Sequence, residues 1–328
     1  MSEILTVFSP AKVNLHLAIG AKRADGYHDA RSVMHALTLH DTLTVRRDFG
    51  IAGEPLIVTT RCSVHGGVAE LDVASDDNIV TKSLVKLAEA NGVGVGEIID
   101  VHIDKNIPHA AGLGGGSSNA AAALLAACRL WDIDPLAPET LALAARIGAD
   151  VPFFLHGGCA VLGDRGDVFE RDLSPMKGSV VLVRPDAGVS TAAAYRAFDE
   201  NPQVVPADVA AREHDATDAA DLALYNNLAP ASEAVLPELA DVRAWLAEQP
   251  GIAADARTGE PRVLLSGSGS ATFGICESMD AAYAIVAAAK LKGWWARSCS
   301  FSPAGARIIE RGMPGVARTN VGAVHKSW

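Results

Sequence analysis

A glycine-rich segment, Gly112-Leu113-Gly114-Gly115-Gly116-Ser117-Ser118, limits most strongly what this chain can fold into. It lies between a short strand pattern at 101–104 and an alanine-rich helical pattern at about 117–131. Glycine permits turns with positive φ and lets a ligand approach the backbone closely, while the N-terminus of a helix attracts anions. The segment therefore predicts a phosphate-binding loop that leads into a helix.

This loop does not match the two most familiar phosphate-binding patterns. No lysine follows the glycines, which excludes a Walker A loop, and Ser117 stands where the G-x-G-x-x-G pattern needs its third glycine. A flexible glycine loop without a ligand is the alternative, but the position before a helix argues against it. We therefore expect a phosphate loop of another kind.

Residues 6–19 alternate between apolar and polar side chains, which is the pattern of a β-strand. Val13 and Leu15 fall on the apolar face, whereas Lys12 and Asn14 fall together on the opposite face. A lysine in a strand is by default a solvated surface residue. Because Lys12 and Asn14 are two positions apart, the sequence predicts that they form a joint polar site.

Further patterns along the chain indicate a mixture of strands and helices. Strands are expected at about 42–46, 56–60, 153–162, 179–183 and 263–265. Helices are expected at about 79–90, 138–147, 237–248 and 279–291. Asp150 is expected in a stiff turn between the end of a helix and the strand at 153–162. Residues 201–221 show no sustained period and are expected to form a connection or a polar helical excursion.

The charge balance argues against a nucleic-acid-binding protein. The chain has 28 basic and 39 acidic residues and a net charge of −11, whereas proteins that bind phosphate backbones are normally basic. Its five scattered cysteines show no paired spacing, which favours reduced thiols over disulfides or a zinc site. The N-terminal residues lack a signal-peptide pattern, and the longest apolar run, 120–128, is too short to span a membrane. We therefore expect a cytoplasmic protein with no membrane and no nucleic-acid partner.

Three segments in this order resemble the motifs of the GHMP small-molecule kinases. They are Pro10-Ala11-Lys12-Val13-Asn14-Leu15, then Pro108 followed by the glycine-rich segment 112–118, and then Leu265-Ser266-Gly267-Ser268-Gly269. The resemblance implies an α+β architecture with two domains and an active site in the cleft between them. We expect an N-terminal kinase domain at 1–170, a C-terminal GHMP domain at 171–310 and a mobile tail at 311–328.

Two further segments resemble the family members that phosphorylate a hydroxyl of a small cytidine diphosphate substrate in the non-mevalonate isoprenoid pathway. They are Arg23-Ala24-Asp25-Gly26-Tyr27-His28 and Gly148-Ala149-Asp150-Val151-Pro152. The resemblance implies that Lys12 and Asp150 are the catalytic pair. The substrate-binding residues that it implies are Asn14, Tyr27, His28, Thr191 and Tyr195. Tyr27 is expected to stack on the cytosine ring, and His28 is expected to bond its edge.

The resemblance also implies the cofactors, with ATP as the phosphoryl donor and Mg²⁺ as its metal ion. The implied ATP-binding residues are Asn78, Lys105, Pro108, Gly112, Leu113, Gly114, Gly115, Gly116, Ser117, Ser118, Gly267 and Gly269. Ser117 or Ser118 could contact the metal, and the sequence leaves that choice open. We expect a monomer or a weak homodimer.

Two other functions stay open at this point. The first is a GHMP kinase for another small alcohol, such as homoserine or mevalonate, and the Tyr27-His28 pair argues against it. The second is a non-catalytic nucleotide-binding regulator on the same fold. The presence of both Lys12 and Asp150 argues against that second function.

Overall fold

The computed structural model describes residues 2–70 and 73–309 of the 328-residue chain, so the tail expected at 311–328 lies outside the described residues. The strands are β1 Glu3–Lys22, β2 His28–Phe49, β3 Ile57–Val64, β4 Glu97–Lys105, β5 Cys159–Gly163, β6 Val168–Asp172, β7 Ser179–Arg184, β8 Tyr225–Asn226, β9 Val263–Leu265, β10 Thr272–Cys276, β11 Trp295–Ser300 and β12 Arg307–Ile309. The α-helices are α1 Ile79–Asn91, α2 Gly115–Trp131, α3 Pro138–Ile147, α4 Val151–His156, α5 Thr191–Glu200, α6 Ala207–Asp215, α7 Ala229–Val235, α8 Glu238–Ala247 and α9 Met279–Leu291.

The described strands form two sheets, one of eight strands and one of four. In the first sheet the order is β12-β1-β2-β4-β3, with β5 paired to β2, β6 to β5 and β8 to β1. In the second sheet the order is β11-β7-β10-β9. Two sheets with helices packed on them confirm the expected α+β class. The division expected near residue 170 falls within β6, and β8 and β12 return to the first sheet later in the chain.

Each sheet has an apolar core, and a further cluster connects the two. Helices α1 and α2 pack on the first sheet, where Leu84 and Ile99 are completely buried. Helices α8 and α9 pack on the second sheet. The connecting cluster joins Val13 of β1, Leu113 of the glycine-rich loop and Phe273 of β10. Packing around that cluster holds the loop between β1 and the second sheet.

The alanine-rich pattern forms α2, a helix with small side chains on several faces. Four consecutive alanines at 120–123 are completely buried. Their small side chains let α2 approach β1, α1 and α4 closely, since little volume separates the backbones. This close packing fixes the N-terminus of α2, which begins within the glycine-rich segment.

Most predicted elements are confirmed by the structure. Helices α1, α3, α8 and α9 begin and end within one residue of the predicted limits, and α2 begins two residues earlier than predicted. The strands expected at 42–46, 56–60, 179–183 and 263–265 lie within or overlap β2, β3, β7 and β9. Residues 6–19 belong to the longer β1.

The strand predicted at 153–162 is wrong in its first half. Residues 151–156 form α4, and the strand β5 begins only at Cys159. A short apolar run does not distinguish a buried helix from a buried strand, whereas Pro152 in the first turn is well placed for a helix. Gly157 and Gly158, with φ of +80° and +67°, end the helix. Asp150 therefore precedes a helix and not a strand.

The segment at 201–221 contains the polar helix that was one of the two expectations. Helix α6 carries Glu213, whose side chain is 2% exposed and forms ion pairs with Arg31 and Arg171. These contacts attach α6 to β2 and β6. A buried carboxylate with two guanidinium partners explains why a helix with so little apolar surface is held in place.

Candidate active site

A cavity of about 290 Å³ gathers residues from β1, β2, the glycine-rich loop, α5 and the loop between β9 and β10. Its lining includes these residues predicted from the sequence: Lys12, Asn14, Gly112, Gly114, Asp150, Thr191, Tyr195, Gly267 and Gly269. The predicted residues outside that lining are Tyr27, His28, Asn78, Lys105, Pro108, Leu113, Gly115, Gly116, Ser117 and Ser118. The cavity thus brings together residues that are far apart in the sequence.

Lys12 and Asp150 meet at the wall of this cavity. Lys12 Nζ lies 3.6 Å from Asp150 Oδ2 and donates a hydrogen bond to Asn14 Oδ1 at 2.6 Å. Asn14 Nδ2 in turn donates to Ser32 Oγ at 2.8 Å. The Lys12 side chain is 5% exposed and that of Asp150 is 27% exposed. The lysine is therefore fixed in direction, while the carboxylate remains accessible from the cavity.

One buried hydroxyl joins the three segments that resemble family motifs. Ser266 Oγ donates to Gly112 O at 2.9 Å and accepts a hydrogen bond from Asn14 N at 3.3 Å. Gly112 has a φ of +72°, and a Cβ at this position would overlap the carbonyl oxygen of Ser266. Only glycine fits there without displacement of the neighbouring loop. These contacts hold the first strand, the glycine-rich loop and the loop after β9 together.

The glycine-rich loop ends in the first turn of α2. Gly114 has a φ of +70°, and a Cβ there would lie 2.6 Å from the Phe154 ring. Gly116 is exposed, and a Cβ at this residue would meet no atom within 4 Å. The N–H groups in the first turn of a helix have no intrahelical partner and carry partial positive charge. Open space over these donors is what a phosphate group needs in order to bind.

The two serines that follow the glycines differ in their surroundings. Ser118 is completely buried, and its Oγ accepts a hydrogen bond from Ser9 Oγ at 2.8 Å. Ser117 is half-buried, and its Oγ would lie 3.7 Å from a Cβ at Gly148. The Ser117 hydroxyl therefore faces the turn before Asp150, whereas the Ser118 hydroxyl is used inside the protein.

Asp41 is a buried carboxylate that the sequence analysis missed. Its Oδ1 accepts hydrogen bonds from Asn106 N at 2.7 Å and from Ile107 N at 2.8 Å. Its Oδ2 accepts from Lys105 Nζ and from Asn119 Nδ2. Asp41 is completely buried, and Lys105 is 8% exposed. The carboxylate thus fixes the start of the loop, the first turn of α2 and the direction of Lys105.

Lys105 and Asn78 differ in what they contribute near this loop. Lys105 Nζ would lie 3.4 Å from a Cβ at Gly115, so its ammonium group stands beside the first residue of α2. Asn78 caps α1, where its Oδ1 accepts a hydrogen bond from Val80 N at 3.0 Å. Asp41 and Asn119 thus hold the Lys105 charge beside the first turn of α2, whereas the Asn78 carbonyl group is occupied by the helix cap.

Tyr27 and His28 lie at the turn between β1 and β2. The Tyr27 side chain is exposed, and the Arg165 guanidinium lies 4.8 Å from the centre of its ring. His28 is buried, and its Nε2 lies 2.7 Å from Asp199 Oδ1. Hydrogen bonds from Lys22 and His28 lower the pKa of Asp199. A flat aromatic surface is therefore open to solvent beside a cation, while the histidine ring is held by a carboxylate.

Thr191 and Tyr195 both lie on α5 and both line the cavity. Thr191 Oγ1 is 2.9 Å from Ser268 Oγ, which connects α5 to the loop after β9. The Tyr195 ring lies 5.3 Å from the His28 ring. Burial, and to a smaller extent the charge of Asp150, raises the pKa of Tyr195 to about 12. Tyr195 therefore stays a neutral phenol close to the candidate catalytic carboxylate.

Two further observations concern metal-binding clusters and membrane-spanning helices. Within 2–70 and 73–309, no group of three or more histidine, cysteine, aspartate or glutamate side chains is arranged to hold a metal ion. None of the described helices is both long enough and apolar enough to cross a lipid bilayer.

Known proteins resemble this chain in sequence and in fold. The GHMP kinases N terminal domain family matches residues 78–158. The chain is 38% identical to the 4-diphosphocytidyl-2-C-methyl-D-erythritol kinase of Nocardia farcinica over 317 residues, which cover 93% of this chain and 96% of the relative. It is 35% identical over 293 residues to the kinase of the same name from Pelotomaculum thermopropionicum, which cover 87% of this chain and 93% of the relative. A crystal structure of 4-(cytidine 5'-diphospho)-2C-methyl-D-erythritol kinase matches with a TM-score of 0.64 and 29% identity, covering 92% of this chain and 99% of that one.

Proposed function

The chain belongs to the 4-diphosphocytidyl-2-C-methyl-D-erythritol kinases of the GHMP kinase family, and we propose that it phosphorylates the 2-hydroxyl of 4-diphosphocytidyl-2-C-methyl-D-erythritol. ATP is the phosphoryl donor, and the reaction serves the non-mevalonate route to isoprenoid precursors. One observation supports this function above the others. Lys12 and Asp150 meet at 3.6 Å in the cavity that is also lined by Gly112 and Gly114 of the phosphate loop.

Phosphoryl transfer asks a protein mainly for positioning and for charge stabilisation. In our proposal the loop 112–118 and the N-terminus of α2 hold the ATP phosphates, together with Gly267 and Gly269, which lie against Gly112 of that loop. The ammonium group of Lys105 adds positive charge beside the first residue of α2. Asn78 and Pro108 are proposed to lie on the side of the nucleotide base.

Asp150 is proposed to accept or orient the proton of the attacking hydroxyl. Its carboxylate is partly exposed and lies in the lining of the cavity, as a group that contacts a substrate must. Lys12 would stabilise negative charge on the transferred group. Asn14 holds the ammonium group of Lys12 through a hydrogen bond at 2.6 Å, so the direction of the lysine is set before substrate binds.

The remaining residues are proposed to select the alcohol substrate. Tyr27 offers an exposed ring on which cytosine can stack, and His28 lies next to it. Asn14, Thr191 and Tyr195 face the part of the cavity that would hold the methylerythritol group. Since Tyr195 remains a neutral phenol, it can donate a hydrogen bond to the substrate.

Mg²⁺ also belongs to the proposal, and the residues present fit it. The Ser117 hydroxyl faces the turn before Asp150 and offers an oxygen ligand, which Mg²⁺ prefers. The ion commonly completes its coordination with water and substrate phosphates, so a large protein cluster is unnecessary. When bound, it would neutralise part of the phosphate charge, and Ser117 would help to hold it at the end of the loop.

The proposal also covers the location and the assembly of the enzyme. All five cysteines are free thiols, which is typical of a reducing compartment and supports a cytoplasmic enzyme. A monomer or a weak homodimer is our proposal for the assembly. The two domains are proposed at 1–170 and 171–310.

A comparison of substrates tests the reaction directly. ADP release should be fast with 4-diphosphocytidyl-2-C-methyl-D-erythritol and near background with homoserine or mevalonate. Preference for either of the latter two would support another small-alcohol kinase. Tight ATP binding without ADP release from any of them would support a nucleotide-binding regulator.

Substitution of the catalytic pair tests the proposed roles. Asp150→Asn should lower kcat by about 10²- to 10⁴-fold without preventing substrate binding, because it removes the proton acceptor at nearly constant size. Lys12→Met should have a comparable effect, and the double variant should be little worse than either single one. Asp208→Asn, at an exposed position in the first turn of α6, is the matched control. Thermal melts establish folding, and more than a tenth of wild-type turnover in Asp150→Asn would exclude Asp150 as the base.

A further inference from the structure

Arg165 lines the same cavity as Lys12 and Asp150, yet the steps of phosphoryl transfer described so far do not use it. It lies in the turn between β5 and β6, in the sequence Gly163-Asp164-Arg165-Gly166-Asp167, which reads from sequence alone as an ordinary polar turn. Gly166 beside it also lines the cavity. The turn therefore brings a guanidinium group to the substrate side of the site.

A buried carboxylate holds this guanidinium in place. Arg165 Nη2 donates to Asp167 Oδ2 at 2.5 Å, and the backbone N–H of Arg165 donates to Asp167 Oδ1 at 3.3 Å. The Asp167 side chain is 4% exposed, whereas the Arg165 side chain is 34% exposed. Across the part of the chain that the structure describes, Asp167 is the hydrogen-bond acceptor found for that guanidinium. Because a guanidinium carries five N–H donors, its other edge can bind a ligand.

Arg165 also connects the cavity to the exposed ring of Tyr27. Its guanidinium carbon lies 4.8 Å from the centre of that ring. Tyr27 is proposed to stack on cytosine, and Asp150 is proposed to act on the hydroxyl at the other end of the substrate. A chain of covalent bonds from the cytidine to that hydroxyl must pass through the diphosphate. Arg165 thus contacts both the ring proposed for the base and the cavity proposed for the alcohol.

The charges of the lining support an anion next to Arg165. Its charged side chains are Lys12, Asp150 and Arg165; Lys12 pairs with Asp150 and Arg165 with Asp167, so an anion would be bound by the N–H donors of Arg165 that Asp167 leaves free. A planar guanidinium matches the oxygen atoms of a phosphate in two parallel hydrogen bonds, which gives geometric selectivity as well as attraction. Asp167 fixes the plane of Arg165, so little conformational freedom is lost when such an anion binds.

We propose that Arg165 binds the diphosphate of the cytidine diphosphate substrate and makes the enzyme select an alcohol that carries this group. The inference rests on the function proposed for the chain and adds a residue that recognises the centre of the substrate. Asp167 acts through Arg165 as a positioning residue. The contact should strengthen binding of the alcohol substrate and leave the binding of ATP unchanged.

Arg165→Met keeps most of the side-chain length and removes the guanidinium. We expect the KM for 4-diphosphocytidyl-2-C-methyl-D-erythritol to rise about 10- to 100-fold, since charge-assisted hydrogen bonds are lost. The KM for ATP should stay within about twofold, because the ATP phosphates lie at the other loop. Arg46→Met is the matched control, as Arg46 is exposed on β2, pairs with Asp48 and Asp100, and lies outside the cavity.

Binding measurements separate diphosphate recognition from a general effect on the site. Calorimetry with CDP and with cytidine should show that wild-type protein gains affinity from the diphosphate and that Arg165→Met loses most of this gain. Cytidine should bind both proteins equally. Arg165→Lys keeps the positive charge but lacks the paired N–H donors of the guanidinium. Its affinity for CDP should therefore lie between that of the wild type and that of Arg165→Met.

The outcomes distinguish failure of this inference from failure of the proposed function. A wild-type enzyme that does not phosphorylate the cytidine substrate would overturn both. An active wild type with equal KM and equal CDP affinity in folded Arg165→Met would overturn the role of Arg165 alone. An equal loss of affinity for CDP and cytidine would also overturn it, because the contact would then not involve the diphosphate.

Discussion

Replacement of Gly116 by valine is expected to weaken ATP binding strongly while it leaves the fold nearly unchanged. A Cβ at Gly116 meets no atom within 4 Å, and the residue is the second of α2. Glycine and valine differ by only a few tenths of a kcal/mol in helix propensity, so stability should change by less than about 0.5 kcal/mol. The new side chain would instead fill the open space over the N–H groups of the first helical turn.

The loss of affinity follows from the hydrogen bonds that a phosphate could no longer make. A hydrogen bond to a charged group contributes about 1.5–3 kcal/mol, which corresponds to an increase in the Kd for ATP of about 10- to 100-fold. Isothermal calorimetry with ATP measures this change, and urea denaturation measures stability in the same preparation. Wild-type ATP affinity in folded Gly116→Val would refute the assignment of this loop as the phosphate site.

Gly112 in the same loop provides the matched comparison, because substitution there is expected to lower the stability of the protein. A Cβ there would overlap the carbonyl oxygen of Ser266, and its φ of +72° is unfavourable for other residues. Gly112→Ala should therefore destabilise the protein by about 2–5 kcal/mol, combining backbone strain with overpacking. If Gly116→Val lowered stability as much as Gly112→Ala does, the open space over Gly116 would not exist in solution.

Two further predictions concern buried ionisable groups. Asp41→Ala should lower the free energy of unfolding in urea by about 3–5 kcal/mol, because it leaves the Lys105 ammonium buried without a counter-charge. The double variant with Lys105→Met should regain part of this stability, because the unpaired charge is then removed. His35 is completely buried, its Nε2 accepts from Met176 N at 2.9 Å, and burial lowers its pKa from 6.5 to about 4. Because the folded state favours the neutral form of His35, this residue makes its full contribution to the free energy of unfolding above pH 6.5. About 3 kcal/mol of that free energy is lost as the pH falls towards 4. Denaturation at pH 7 and pH 4.5 should show this loss, and an equally steep pH dependence in His35→Leu would contradict the assignment.

The parts of the site that could be predicted from sequence are those set by local periodicity. Lys12 and Asn14 are neighbours on one face of β1 because strand side chains alternate. Lys12 Nζ consequently lies 2.6 Å from Asn14 Oδ1. The position of the glycine-rich loop before α2 could also be predicted, since four glycines precede a helical pattern, and its phosphate-binding role stays a prediction. Both inferences needed only residues close together in the chain.

The parts that could not be predicted depend on contacts between distant residues. Asp41 precedes the strand expected at about 42–46 and gives no sign of burial in the sequence, and its partners Lys105 and Asn119 are 64 and 78 positions away. Asp150 was expected before a strand, because a short apolar run fits a buried helix and a buried strand equally well. Arg165 reads as a turn residue until the fold brings it over Tyr27.

These distant contacts explain how an acidic chain can be suited to two polyanionic substrates. The chain carries a net charge of −11, so attraction for phosphate must come from the local arrangement of cations and N–H groups. Lys105 is held by Asp41 and Arg165 by Asp167, and both carboxylates are buried behind the cations that they hold. Each carboxylate neutralises charge in the interior and fixes a direction, while the donors on the far side of the cation remain available to a ligand. Because these groups are already oriented, little reorganisation is needed when phosphates bind.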